Sequence, residues 1–192
     1  LLSDTHGWLN PAIYDFFKDC DEIWHAGDIG DYDITIELTA FKKLRAVFGN
    51  IDDWEIRADF PQFQIFKVED MKVVMTHIGG YPNAYAAGIK QLLLEEKPDI
   101  FISGHSHILK VMRDQKLGLL HINPGAAGQK GFHKKITMIR FQINGKEASN
   151  LEIYEDCLEN EEIKLFIYKS RPSEVCTEDD YNMYSYSSYF FL

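Results

Sequence analysis

The sequence has no apolar run near the roughly 20 residues that a bilayer-crossing helix requires. It also lacks the secretory pattern of basic head, apolar stretch and small-residue cleavage site. Opening on Leu1-Leu2-Ser3 without a Met, it reads as a chain entered inside its first strand. Cysteine is sparse: Cys20, Cys157 and Cys176 are scattered, odd in number and form no CxxC pair. That excludes a disulfide framework or a thiolate zinc site and reads as reduced thiols of a cytoplasmic protein. Positive charge is in deficit, with 20 Lys and Arg against 30 Asp and Glu and a formal net charge of −10. A standing nucleic-acid partner requires the opposite balance.

What is present is the make-up of one soluble globular domain: 192 residues, 45% hydrophobic and 26% charged. Asn10-Pro11 supplies a helix start before Ala12 to Lys18. Glu22 to His25 reads as a strand, Ile34 to Lys43 as a helix through Ile34, Leu38 and Phe41, and Arg45 to Phe48 as a further strand. Alternation of this kind predicts βαβ units and parallel pairing. From Phe63 strands dominate. Phe63 to Val68 with Lys72 to Thr76 forms a hairpin, Ile89 to Glu96 a helix, and Ile100 to Ile102 a buried strand. Leu109 to Arg113 with Leu119 to Asn123 forms another hairpin, and Lys135 to Ile143 and Leu151 to Tyr154 complete the sheets. The expected fold class is α/β, with two packed mixed β-sheets flanked by helices. Residues 1–156 are expected to form one domain. Residues 157–192, acidic and then rich in Tyr and Ser, read as a C-terminal tail without chemistry, with one strand at Ile163 to Tyr168.

The polar residues that follow these strands are not random. Asp4 and His6, Asp28, Asn50, His77, and His105 with His107 each fall just past a strand end. In open α/β sheets the carboxyl ends of parallel strands line the ligand crevice, so these seven are expected to converge. Asp4 and His6 stand at i and i+2, as do His105 and His107, a spacing that puts both on one side of an extended chain. Imidazole nitrogen mixed with carboxylate oxygen suits first-row divalent metals. Seven donors are too many for one tetrahedral site and fit two sites sharing a bridge, for which Asp28 is the best placed carboxylate. Two cations roughly 3.5–4 Å apart would hold a hydroxide between them for in-line attack on phosphorus. Any one of these residues alone reads as a turn former or a satisfied histidine. Five strand ends carrying only metal-competent groups decide otherwise.

The motifs Asp4-x-His6, Gly27-Asp28-x-x-Asp31, Gly49-Asn50-x-Asp52, His77 and Gly104-His105-Ser106-His107 occur in the order seen in the calcineurin-like metallophosphoesterases. Over Leu1 to about Glu155 the chain resembles that family, and most closely its small bacterial and archaeal phosphodiesterase branch, which the Asn123-Pro124-Gly125 loop also resembles. The resemblance implies a four-layer α-β-β-α sandwich. It implies one metal on Asp4, His6, Asp28 and His107 and a second on Asp28, Asn50, His77 and His105, with Asn50 also placing a substrate oxygen. Mn²⁺ is the metal implied, with Ni²⁺, Fe, Zn²⁺ and Mg²⁺ open. Asp31 and Asp52 are expected to accept hydrogen bonds that orient the ligands. The simpler readings are a helix-start carboxylate for Asp31 and a turn residue for Asp52. His25 reads as a core histidine, and His121 and His133 have no motif support.

Two departures matter. Ile51 stands where many members carry a His after the Asn, which removes a candidate leaving-group acid and favours good leaving groups. After His77 the chain has Ile78-Gly79 instead of Gly-His. The leading expectation is a phosphodiesterase acting on a small phosphate ester, with no membrane partner; a homo-oligomer is compatible with the sequence. The alternatives are a phosphomonoesterase, or a protein-binding scaffold on the same fold, as in the eukaryotic retromer subunit that resembles it.

Overall fold

The computed structural model describes residues 1–158. The strand expected at 163–168 and the Tyr-rich tail lie outside them. Among the described residues no helix is long and apolar enough to cross a membrane.

Helix α1 (Ala12–Phe16), strand β1 (Glu22–His25), helix α2 (Tyr32–Phe41), strand β2 (Lys43–Ala46) and helix α3 (Trp54–Asp59) form the first half. β1 and β2 pair in parallel, Glu22 opposite Lys43 through His25 opposite Ala46. The N-terminal segment lies on the other side of β1. Leu2 N–H donates to Trp24 O at 2.9 Å and Ala26 N–H to Leu2 O at 2.9 Å, a parallel bridge in register with His25. Leu1 in turn exchanges two backbone hydrogen bonds with Ile139, at 2.8 and 3.0 Å. Ile139 belongs to β10 (Lys135–Asn144), which pairs with β11 (Glu147–Cys157). The first sheet therefore runs β11, β10, N-terminal segment, β1, β2.

The second sheet contains β3 (Phe63–Val68), β4 (Met71–Thr76), β7 (Ile100–Ile102), β8 (Leu109–Asp114) and β9 (Leu119–Pro124), in the order β3-β4-β7-β9-β8. The central pairs β4–β7 and β7–β9 are parallel, and the outer hairpins are antiparallel. A small hairpin of β5 (Gly80–Tyr81) and β6 (Ala84–Tyr85) precedes helix α4 (Ile89–Glu96).

Side-chain alternation shows how the layers stack. Leu1, Trp24 and Ile139 from the first sheet meet Val73, Met75, Ile100, Ile102 and Ile122 from the second, forming the core between the sheets. Their neighbours Leu2, Ile23, Ala46 and Met138 face the opposite way, onto Ile13, Phe17, Ile34, Leu38 and Ile56 of α1, α2 and α3. Val74 and Phe101 likewise turn away from the centre onto Ile89 and Leu93 of α4. The result is the four-layer α-β-β-α sandwich. Burying each of these large side chains stabilises the fold by about 1.5–3 kcal/mol.

Helix boundaries follow local chemistry. Asn10 Oδ1 accepts from Ala12 N–H at 2.9 Å at the start of α1. Asp53 Oδ1 accepts from Glu55 and Ile56 N–H at the start of α3, a helix too short to be read from periodicity. Strand β11 starts earlier than Leu151, and β2 occupies Lys43–Ala46 instead of Arg45 to Phe48. The thiols also differ from expectation: Cys20 is free, but Cys157 is disulfide-bonded.

Candidate metal centre

The seven donor residues occupy one end of the sandwich, past the N-terminal segment and past β1, β2, β4 and β7. Asp4, His6 and His107 form one group, and Asp28, His77 and His105 a second; within each, one donor atom per residue lies within 4.8 Å of the others. Asn50 joins the second group, its Oδ1 being 3.1 Å from His77 Nε2. The groups adjoin, since His77 Nε2 is also 3.9 Å from Asp4 Oδ1. Asp4, Asp28 and His77 are buried, His6 and His107 half-buried, and Asn50 and His105 exposed. The cradle thus has a closed floor and an open rim.

The donor atoms face one another at close range. Asp4 Oδ2 accepts from His105 N–H at 3.1 Å, but Oδ1 is buried with no hydrogen-bond partner. It lies 3.2 Å from His107 Nε2 and 3.9 Å from His6 Nε2. His6 Nε2 and His107 Nε2 stand 3.2 Å apart. His77 Nδ1–H donates to Ala26 O at 2.8 Å, so in the neutral ring Nε2 carries a lone pair. That lone pair faces Asp28 Oδ1 at 3.2 Å. Neutral rings and carboxylates aimed at each other in this way are costly to bury unless positive charge, a proton or a metal ion, lies among them.

The titration behaviour says the same. Burial pulls His77 down, but its bond to Asp28 and the charge of Asp4 outweigh burial and hold it above the ordinary imidazole range. For Asp28 burial raises the pKa, yet His77 and the Ile51 N–H, at 3.1 Å, bring it below the usual carboxylate value. Both shifts mark a place that attracts positive charge. In His6 burial prevails over Asp4 and Asp28 and lowers the pKa, favouring the neutral ring that can donate a lone pair. Imidazole, carboxylate and amide oxygen in two adjoining groups fit a pair of first-row divalent ions.

Local backbone geometry is bent to the site. Asp4, His6, Asp28, His105 and His107 all have positive φ, between 49° and 65°. Left-handed backbone at a non-glycine residue costs on the order of 1 kcal/mol, and its concentration here ties the strain to the site. Gly49 is required by close approach: a Cβ there would sit 2.0 Å from Asp28 Oδ1.

The two supporting carboxylates take different parts. Buried Asp52 accepts from Gly30 N–H and Gly49 N–H, both at 2.7 Å, strapping the loop after β1 to the loop after β2. It acts on the backbone that carries the donors. Asp31 instead caps α2, accepting from Asp33 N–H at 3.0 Å. Among the described residues it makes no hydrogen bond to any of the seven, so the simpler reading of a helix-start carboxylate is the one observed. His25 is a core histidine. Its Nδ1 accepts from Gly27 N–H at 3.2 Å, its Nε2–H donates to Thr5 Oγ1 at 2.9 Å, and burial lowers its pKa to about 3. His133, which no motif marks, lies 3.0 Å from His107 Nδ1.

A cavity of about 230 Å³ adjoins His105, lined among others by Ile78, Gly80, Tyr81, Lys110 and Asn123. A larger one, of about 410 Å³, lies at the far end of β1 around Glu22 and Arg140 and touches none of the seven.

A four-layer sandwich with paired donor groups at its strand ends is the architecture of a metallophosphoesterase. Residues 1–146 match the calcineurin-like phosphoesterase superfamily domain, and the chain belongs to that superfamily. It is similar to a probable metallophosphoesterase of Methanothermobacter thermautotrophicus, 32% identical over 133 residues covering 66% of this chain and 74% of that protein. The probable metallophosphoesterase MJ0623 of Methanocaldococcus jannaschii is 32% identical over 132 residues, 66% of each chain. In fold it resembles wild-type Vps29 of Entamoeba histolytica complexed with Zn²⁺, with a TM-score of 0.61 at 14% identity, covering 82% of this chain and 97% of that one.

Proposed function

We propose that this chain hydrolyses small phosphodiesters with two divalent cations, Mn²⁺ first among them. Asp4, His6, Asp28 and His107 would hold one ion, and Asp28, Asn50, His77 and His105 the other. The observation that carries the reading is the orphaned Asp4 Oδ1, buried among the Nε2 atoms of His6, His77 and His107. Among the described residues that oxygen accepts no hydrogen bond, and a cation seated between it and the three Nε2 atoms would complete it.

When bound, such ions lower the pKa of water and neutralise phosphoryl oxygens. The residues themselves hold and orient. Asp28, whose Oδ1 accepts from Ile51 N–H, stands with His77 and His105 and would also reach the first ion as the shared ligand. Exposed Asn50 sits on the rim where a substrate oxygen arrives. The cavity beside His105 offers space for the organic arm of the ester, which suits a compact substrate. Ile51 supplies no proton to a departing alkoxide, which favours diesters with good leaving groups.

The test is turnover of bis(p-nitrophenyl) phosphate and p-nitrophenyl phosphate with Mn²⁺, before and after chelation, beside elemental analysis of the protein. Diester turnover lost on chelation and restored by Mn²⁺ supports the reading. Preference for the monoester would replace it with a phosphomonoesterase, and inactivity against both with two ions bound would defeat it.

A further inference from the structure

His133 lies 26 positions beyond His107, outside every motif, yet the two rings are joined. Their Nδ1 atoms are 3.0 Å apart, so exactly one proton lies between them. At the other end, His133 Nε2 is 3.0 Å from Gly128 O, which can only accept, so Nε2 carries a hydrogen. In the neutral ring His133 Nδ1 is then the acceptor, and His107 Nδ1–H must donate to it. His107 Nε2 is left bare, and this is the atom that faces Asp4 Oδ1 and His6 Nε2, each at 3.2 Å.

Gly128 is itself fixed, its N–H donating to Asp4 O at 3.0 Å. The chain between Gly128 and His133 runs close against the paired rings: a Cβ on Gly131 would fall 2.3 Å from His107 Nδ1 and 2.8 Å from His133 Nδ1. One peptide unit thus links a donor segment to the ring that sets its partner's tautomer.

We propose that His133 is a positioning residue for the Asp4–His6–His107 group, holding His107 in the Nε2-bare tautomer that can ligate a cation, and that it leaves the Asp28–Asn50–His77–His105 group unaffected. This rests on the two-cation reading above. An outer partner that orients a ligating His is worth about 10–100-fold in metal affinity.

The test is calorimetric titration of the chelator-stripped full chain with Mn²⁺. In His133→Ala one of the two ions binds about 10–100-fold more weakly and the other is unchanged, the unchanged site serving as the control for folding. His133→Asn, whose Oδ1 can accept from His107 Nδ1–H, recovers most of the loss. In a His107→Ala background, His133→Ala adds little further weakening, because the two act through one site. Wild-type affinity at both sites in His133→Ala overturns the proposal, as does an equal loss at both that Asn fails to rescue. If the wild-type chain binds no pair of ions, the functional reading fails first; if it binds two and His133→Ala does as well, only this inference fails.

Discussion

Asp4 Oδ1 and His77 Nε2 stand 3.9 Å apart, and between them the two donor groups meet. Asp4 reaches this point from the N-terminal segment of the first sheet and His77 from the end of β4 in the second. The site therefore spans the core between the sheets. Neither sheet can shift against the other without separating these atoms, so metal binding and sheet packing are expected to be linked: binding of Mn²⁺ should raise the thermal unfolding midpoint, as ligand linkage requires.

Asp28 lies in the second group and acts on His6 of the first as well. Asp28→Asn is expected to lower activity by at least about 100-fold, since even an outer partner of a ligand is worth 10–100-fold. Asn50→Ala is milder and should retain one bound ion. Steady-state kinetics beside metal stoichiometry checks both, and full activity in Asp28→Asn would refute the assignment.

Gly49→Ala tests the close approach without touching a donor. Its Cβ would lie 2.0 Å from Asp28 Oδ1 and 2.3 Å from Asp28 N, so the carboxylate or its backbone must move. The displacement should weaken Mn²⁺ binding about tenfold or more, as loss of ligand support does, in a chain that still folds. A variant with unchanged affinity and an unchanged unfolding midpoint would show that the loop yields freely.

Much of this was legible in the sequence because each signal was local. Val73 and Val74 alternate between two cores, as strand period dictates, and Asp-x-His or Gly-Asn at a strand end is visible as text. The seven donors were named from such motifs, and the structure brings them together. Elements carried by few residues were not legible: α3 depends on Asp53 bonding two amides, and the β5–β6 hairpin is two residues a side. His133 was missed for another reason. Its role is set by a contact with His107 across a loop, and nothing in its neighbours announces that partner. Asp31 carried two readings because a carboxylate six residues past a strand serves equally as a ligand's partner or a helix cap, and the geometry shows the cap.

Acid stability follows from buried histidines outside the set of seven donors. His121 is buried, its Nε2 at 3.1 Å from Ser103 Oγ, and burial lowers its pKa to about 4. His25 is lower still, at about 3. An imidazole whose folded pKa lies below its unfolded value of 6.5 contributes stability present above pH 6.5 and lost as pH falls toward the folded pKa. Between pH 7 and 5 His121 alone should remove roughly 2 kcal/mol. Urea unfolding of chelator-treated protein at both pH values checks this, and His121→Gln should narrow the difference by a similar amount. An equal pH dependence in the variant would place the acid sensitivity elsewhere.

Ile51 gives the sharpest prediction about chemistry. Its side chain is 49% exposed beside Asn50, and its backbone N–H is committed to Asp28 Oδ1, so the position offers nothing that can protonate a leaving oxygen. Turnover across a series of aryl phosphodiesters should therefore fall steeply as the leaving-group pKa rises, with alkyl diesters slowest. Ile51→His would introduce an imidazole at the rim, where general acid catalysis is worth about 10²–10⁴-fold in an optimised site. An unoptimised ring should recover a part of that, on the order of tenfold, for the poorest leaving groups, and little for p-nitrophenolate, which needs no proton to depart. The signature is a shallower slope of log kcat against leaving-group pKa. A wild-type slope already close to flat would mean that another group donates the proton, and the reading of Ile51 as a missing acid would have to be given up.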